Sequence, residues 1–298
     1  MEDGYVAFLD VLGFAATVQG HDATGRIARY RKSLESALSG RVISPSTSGE
    51  PYPGAEEGRP PPEQGTPLPL KASVFSDSII LAMPSTTQES LRDLLTHTSR
   101  LFNQLLNAGI ALRGAIAYGP YECAEMEVGT FFAGPAITDA YRFEAAQDWV
   151  GIMLSPSVVD RNHGLDELCD IGMQAYPGAP PFRAGDPEEQ VKLRARIKWA
   201  SILQRCNSIP FHSNNWFDVN TYDGFAVVPT NGEVGSNALR QNLTKCLQVL
   251  ERLKSVAPDP RAQKKYDHTV QWLRRVAAQW DQIAAGEKHL LDQGKLQR

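Results

Sequence analysis

The first 110 positions alternate between short apolar runs and longer stretches in which hydrophobic residues recur at helical spacing. Residues 5–10 predict a buried strand, and residues 70–75 and 78–83 predict the two strands of a hairpin. Apolar residues recur every three or four positions over about 27–38 and again over 88–106, which indicates two amphipathic helices. The chain therefore opens in the order strand, helix, hairpin, helix.

The same alternation continues to residue 154. Residues 110–118 predict a strong strand ended by Gly119-Pro120, with a further strand expected within 121–132. A helix begins at Gly134-Pro135, with proline in its first turn, and a short strand follows over 151–154. These elements predict an α/β fold, an α+β sandwich of the palm or ferredoxin-like type, with helices on one face of a mainly antiparallel sheet.

Two composition changes suggest how the chain is organised. Residues 44–69 contain eight prolines and four glycines, which predicts an inserted loop with little to bury. We place one domain at 1–176 and an extension packed on it at 177–298. For the extension the pattern predicts a charged helix, a strand pair and a hairpin of two amphipathic helices, over 188–204, 216–219 with 225–228, and 237–256 with 261–285.

Charge and cysteine content narrow the choice of partners. Thirty Lys and Arg residues against 34 Asp and Glu give a net charge of -4, so no global basic field recruits nucleic acid or anionic lipid. The four cysteines form no CxxC pair, and we expect reduced thiols. The sequence shows neither an apolar run of membrane-spanning length nor a basic leader, so we expect a cytoplasmic protein with no membrane contact.

The candidate chemistry begins with two aspartates, Asp10 and Asp77, each at the end of an apolar strand. Carboxylates from neighbouring strands are suitable ligands for paired Mg²⁺ or Mn²⁺ ions that act on a phosphate. Either aspartate alone is equally well explained as a strand terminator or a helix cap. The pair favours phosphoryl transfer.

Such chemistry also needs a cation and a hydrogen-bond donor facing the phosphates. Thr138 and Arg142 lie four positions apart and therefore share one face of the helix that starts at 134. The alternative is an ordinary surface helix in which Arg142 pairs with Asp139 or Glu144.

The motifs occur in an order that resembles a known family. Phe-x-Asp-x-x-Gly-Phe is followed by Lys-x-x-x-x-x-Asp, then Leu-Arg-Gly-x-Ile-x-x-Gly, then Gly-x-x-x-Thr-x-x-x-Arg. This order is similar to the catalytic domain of class III adenylate and guanylate cyclases. Three sequence segments resemble the pyrimidine nucleotide cyclases of bacterial Pycsar anti-phage systems. They are Phe-Leu-Asp-Val-Leu-Gly-Phe, Phe-Ser-Asp-Ser and Gly-Pro-Ala-x-x-x-Ala-Tyr. The resemblance covers about residues 5–160.

The resemblance implies roles for the residues of the first motifs. Asp10 and Asp77 match the two metal-binding aspartates, and the backbone carbonyl of Val11 would be a further metal ligand. The amides of Leu12, Gly13 and Phe14 would hold the β- and γ-phosphates. The cofactors implied are two Mg²⁺ or Mn²⁺ ions in each active site.

Later motifs carry two departures from the purine cyclases. Arg142 matches the transition-state arginine, while Thr138 stands where those enzymes usually have asparagine. Lys71 matches the base-recognising lysine of adenylate cyclases, but its aspartate partner is replaced by Phe131. The second departure removes the acceptor for the adenine amino group and favours a pyrimidine base, with UTP first and CTP second.

The family forms homodimers with composite active sites, in which the acids of one subunit face the arginine helix of the other. The resemblance therefore implies a homodimeric nucleotidyl cyclase, a phosphorus-oxygen lyase, whose cyclic product (cUMP, or cCMP as second choice) signals to a separate effector. A degenerate nucleotide-binding module without turnover and a purine cyclase stay open. A haloacid-dehalogenase phosphatase is disfavoured because Leu12 replaces its second aspartate, and a diguanylate cyclase because its Gly-Gly-Asp/Glu-Glu-Phe hairpin is absent.

Overall fold

A computed structural model describes residues 1–14, 22–39, 70–127, 129–169, 198–212, 219–230, 236–257 and 259–292. The strands are β1 (Glu2–Val11), β2 (Lys71–Phe75), β3 (Ser78–Met83), β4 (Leu112–Met126), β5 (Gly129–Ala133), β6 (Gly151–Leu154), β7 (Leu203–Pro210) and β8 (Thr221–Val227). The helices are α1 (Ala23–Ser39), α2 (Gln88–Asn107), α3 (Pro135–Ala146), α4 (Pro156–Arg161), α5 (Leu165–Cys169), α6 (Ser236–Ser255) and α7 (Pro260–Asp292).

One sheet organises these elements. Its strands lie in the order β2-β3-β1-β4-β6-β8-β7, and β5 pairs with the far part of β4. The β4–β6 pair is parallel, whereas the other strand pairs are antiparallel. The predicted fold class, mixed α/β with a mainly antiparallel sheet and a helical C-terminal region, is confirmed.

Helices cover both faces of this sheet, which corrects the expectation of helices on one face. Neighbouring residues of a strand point to opposite faces. Ala7 of β1 belongs to the main core with the leucine stripe of α2. Val6 instead lies in a smaller apolar cluster with Ala136 of α3. The sheet is thus enclosed by α2 on one side and α3 on the other.

The C-terminal helices form the predicted hairpin. Ion pairs join Lys254 to Asp267 and, further from the turn, Arg240 to Asp281, which is the pattern of two antiparallel neighbours. The hairpin reaches the sheet through α7, where the indole of Trp272 donates to the carbonyl of Arg205 over 3.0 Å. Within the described ranges, no helix is both long and apolar enough to cross a membrane.

Three element predictions need correction. β4 continues through Gly119-Pro120 to Met126. Its pairing with β6 ends at Ile116, so the proline, which has no amide hydrogen, interrupts no hydrogen bond between these two strands. The helix expected over 188–204 overlaps the start of β7, so its last two positions are strand. The strand predicted over 225–228 begins earlier, at Thr221, and forms β8, which pairs with β7 and β6, while positions 216–218 lie outside the described residues. The 44–69 loop and the boundary at 176 lie outside the described residues.

Candidate active site

The two predicted metal-binding aspartates lie side by side at one end of the sheet. Asp10 is opposite Ser78 in the β1–β3 register, which places it beside Asp77 in the β2–β3 turn. The amide of Val11 donates to the carbonyl of Asp77 over 2.9 Å and fixes the turn against β1. The hairpin with an acid at its tip forms as predicted.

The turn that presents Asp77 is held in a strained conformation. Ser76 has a φ of 58°, a left-handed value that costs a residue with a side chain about 1–2 kcal/mol. The phenol of Tyr30 donates to the carbonyl of Ser76 over 3.4 Å from helix α1. Burial, with the negative charges of Asp77 and Asp10 adding to it, raises the pKa of Tyr30 to about 12. Tyr30 is therefore a neutral donor behind the turn.

The environment of Asp10 is electrostatically divided. Burial raises the pKa of Asp10. The positive charge of Arg113 lowers this pKa, and the negative charge of Asp77 raises it. The Arg113 guanidinium lies 4.0 Å from Oδ2 of Asp10. The repulsion between the two aspartates is the kind that a bound divalent cation relieves, and their hard oxygen donors suit Mg²⁺ or Mn²⁺.

A cation would have to be held by this pair together with backbone and substrate oxygens. The described residues contain no cluster of three or more His, Cys, Asp or Glu side chains arranged for a metal. The nearby third acid, Glu144, is instead paired with Arg113. Asp10, Asp77 and the carbonyl of Val11 fit the sparse protein ligand set of an ion that also binds substrate phosphates.

The predicted phosphate-binding turn follows β1 directly. The amide of Leu12 donates to the carbonyl of Ala111 over 3.0 Å, so a phosphate would have to displace this hydrogen bond. Gly13 has a φ of 73°, which suits glycine, and apart from its chain neighbours no atom of the described residues lies within 4 Å of the Cβ that another residue would carry. Phe14 packs edge-on against Tyr30. The open space at Gly13 is where a ligand could approach the backbone.

Thr138 and Arg142 are both exposed on the outer face of α3. The hydroxyl of Thr138 donates to the carbonyl of Gly134 over 3.2 Å within the helix. Both acids of α3, Asp139 and Glu144, have partners outside that helix. Glu144 accepts from Arg113, and Asp139 accepts from two serines at 3.0 and 3.2 Å. Thr138 and Arg142 thus face outward, whereas Glu144 is buried against the sheet.

Lys71 has an acidic partner that the sequence did not reveal. Its ammonium lies 3.4 Å from Oε1 of Glu125 on β4. Phe131 pairs with Ala124 and Glu125 pairs with Thr130, so Phe131 and Glu125 point to opposite faces of the β4–β5 ribbon. A Lys–carboxylate pair is therefore present at Lys71 although Phe131 occupies the position expected for the acid.

Three further charged residues surround Asp10 and were not predicted as site residues. Arg113 lies inside the Leu-Arg-Gly motif, which is the one signal that could have indicated it. Glu144, only 3% exposed, has its pKa raised to about 6 by burial, against the lowering effect of Arg113. Lys265 of α7 is close enough to lower the pKa of both acids and lies 3.3 Å from Asp148. It is 255 positions from Asp10, so no spacing pattern could reveal it.

Comparisons with known proteins add a structural likeness. Neither the protein-family models nor the curated proteins give a match to this chain. Among solved structures, an adenylate cyclase of Trypanosoma brucei, studied in its monomeric state, is similar at a TM-score of 0.36 and 12% identity. The alignment covers 78% of this chain and 91% of that chain.

Proposed function

We propose that the chain is a nucleotidyl cyclase that converts a nucleoside triphosphate to its 3′,5′-cyclic monophosphate and pyrophosphate. The observation that carries this proposal is the adjacency of Asp10 and Asp77 at the end of β1, next to the space that the absent side chain of Gly13 leaves. The order of the motifs around these residues, which resembles class III cyclases, supports cyclisation over other phosphoryl transfers.

In the proposed reaction the ribose 3′-oxygen attacks the α-phosphorus. A bond from this oxygen to phosphorus forms, the bond from phosphorus to the bridging oxygen breaks, and pyrophosphate leaves as the hydroxyl proton passes to solvent. Asp10, Asp77 and the carbonyl of Val11 would hold two Mg²⁺ or Mn²⁺ ions, which lower the pKa of the 3′-hydroxyl and neutralise the triphosphate. The turn from Leu12 to Phe14 would bind the outer phosphates.

The active site would be shared between two copies of the chain. Arg142 and Thr138 are exposed on α3, which supports this proposal because a neighbouring subunit could reach them. In a two-fold dimer each subunit would receive these groups from its partner. Arg142 of the partner subunit would then stabilise the charge that develops on the phosphate, with Thr138 of the partner subunit as a hydrogen-bond donor.

For the substrate we propose a pyrimidine triphosphate, UTP before CTP, because Phe131 cannot accept a hydrogen bond from an adenine amino group. By the same resemblance the cyclic product would act in the cytoplasm as a second messenger of phage defence, sensed by a separate effector. The pair of Lys71 with Glu125 favours one alternative, adenylate cyclisation, since a carboxylate beside the lysine could accept from that amino group.

Substrate and activity are tested in one experiment. The full chain is incubated with each of the four triphosphates and Mn²⁺, and mass spectrometry detects cyclic monophosphates. We expect cUMP, with Asp10→Asn reducing the rate at least about a hundredfold, because losing a metal ligand should cost no less than losing a residue that supports a ligand, which costs up to about a hundredfold. cAMP as the main product would favour the Lys71–Glu125 alternative. Nucleotide binding without any cyclic product would contradict the enzyme and leave a nucleotide-binding module.

A further inference from the structure

Arg113 occupies a central position between the sheet and helix α3. Its Nε donates to Oε1 of Glu144, and its Nη1 donates to the backbone carbonyl of Gln147 over 3.1 Å. Its Nη2 faces Oδ2 of Asp10 at 4.0 Å. The Arg113 side chain is only 15% exposed, so three groups on two different elements constrain a nearly buried guanidinium.

The support behind Arg113 is itself fixed. The buried side-chain amide of Gln147 donates to the carbonyls of Gly114 and Phe143 over 3.0 and 3.1 Å, and its oxygen accepts from the indole of Trp149 over 2.8 Å. Every hydrogen-bonding group of this amide is therefore engaged in joining β4, α3 and the segment before β6. The carbonyl that holds Arg113 cannot move without breaking these contacts.

The charges of this group are balanced in a specific way. Glu144 carries the negative charge that matches Arg113, so the pair adds no net charge beside Asp10. A lone arginine at this distance would repel a divalent cation, whereas a compensated arginine can orient a carboxylate without that effect. Such partners of metal ligands commonly set the orientation of the ligand. An arginine presents its donors in a rigid planar fork that fixes their directions, whereas a lysine has a single ammonium on a flexible stem.

We propose that Arg113 is a positioning residue that orients the Asp10 carboxylate for cation binding, and that Glu144 cancels the charge of Arg113 next to that cation. This proposal rests on the proposed function, because it takes Asp10 as a metal ligand. It assigns to Arg113 and Glu144 a task in the site that neither the motifs nor the helix pattern indicated.

The test measures Mn²⁺ binding by the full chain. Electron paramagnetic resonance quantifies the free ion, so the measurement needs no turnover. Arg113→Lys keeps the charge but loses the fork, and Glu144→Gln keeps an acceptor but leaves Arg113 uncompensated. We expect each to weaken Mn²⁺ binding by about tenfold, the usual effect of losing such a partner. Arg205→Lys is the control, since Arg205 of β7 forms an exposed arginine–carboxylate pair with Asp166 of α5, away from Asp10. It should bind Mn²⁺ as the parent chain does.

Thermal unfolding of each variant separates positioning from folding. If Arg113→Lys unfolds, Glu144→Gln alone decides the question. Higher Mn²⁺ should restore the turnover of either variant, which a general loss of structure would not permit. Unchanged Mn²⁺ affinity in a folded variant would overturn the positioning role while leaving the cyclase proposal intact. If Asp10→Asn does not reduce the Mn²⁺ binding of the parent chain, the assignment of Asp10 as a metal ligand is wrong. The positioning role of Arg113 is then wrong as well.

Discussion

Replacing Arg113 by methionine is expected to destabilise the protein severely. The substitution leaves the carboxylate of Glu144, 3% exposed, without its ionic partner. Removing one member of a buried ion pair costs about 3–5 kcal/mol, because the remaining charge is neither solvated nor compensated. Replacing both residues by methionine should restore most of that loss, since apolar side chains of similar size fill the space without a charge.

The stability lost on replacing Arg113 by methionine should depend on pH in a defined direction. The folded protein raises the pKa of Glu144 from 4.5 to about 6, so the folded state binds this proton more tightly than the unfolded chain does. The contribution of Glu144 to stability is therefore greatest below 4.5 and falls by about 2 kcal/mol as pH rises through 6. Without Arg113, which lowers this pKa, Glu144 would keep its proton to higher pH. Arg113→Met should thus cost more at about pH 8 than at about pH 5.

Urea unfolding monitored by tryptophan fluorescence measures these differences, because the indoles of Trp149, Trp272 and Trp280 are buried in the core. The parent chain, the two single variants and the double variant form a complete cycle. An equal loss at both pH values, or a double variant no more stable than Arg113→Met, would refute the assignment of a buried compensating charge.

Three smaller perturbations test other parts of the structure. Ser76→Gly should raise the free energy of unfolding by about 0.5–1 kcal/mol, because it relieves the left-handed strain at the turn; a loss in urea unfolding would count against that strain. Ser99→Ala should lower the free energy of unfolding by about 2–3 kcal/mol, since the buried Ser99 hydroxyl donates to the Val228 carbonyl over 2.5 Å. A change below about 0.5 kcal/mol would show that this hydrogen bond does not stabilise the fold. Lys71→Ala and Glu125→Gln should change which triphosphate is preferred in competition assays without affecting stability, since this pair is largely exposed; an unchanged preference would remove it from the base pocket.

The local pattern predicted much of the fold because its elements have strong periodicity. Strand β1, the β2–β3 hairpin and helix α2 follow from alternating and helical spacing, and the meeting of Asp10 with Asp77 follows from the hairpin lying beside β1. Strand β7 was missed because a register shift between Cys206 and Ile209 breaks its alternation.

The charged surroundings of the acids could not be predicted in the same way. Arg113 and Glu144 are 31 positions apart, and Lys71 and Glu125 are 54 apart. Such contacts depend on which strands become neighbours and on the twist of the β4–β5 ribbon. The spacing of residues within one helix or strand cannot predict contacts between different elements.

The central claim, a cyclase site built by two copies of the chain, is tested most directly by mixing two inactive variants. Asp77→Ala lacks one acid and Arg142→Ala lacks the outward-facing cation, and each should be inactive alone. In a random mixture half of the dimers pair the two variants, and each such dimer has one intact site, so about a quarter of the parent activity should return. Cyclic nucleotide formation at that level is the predicted result. No recovery in mixed dimers that demonstrably form would contradict the shared site.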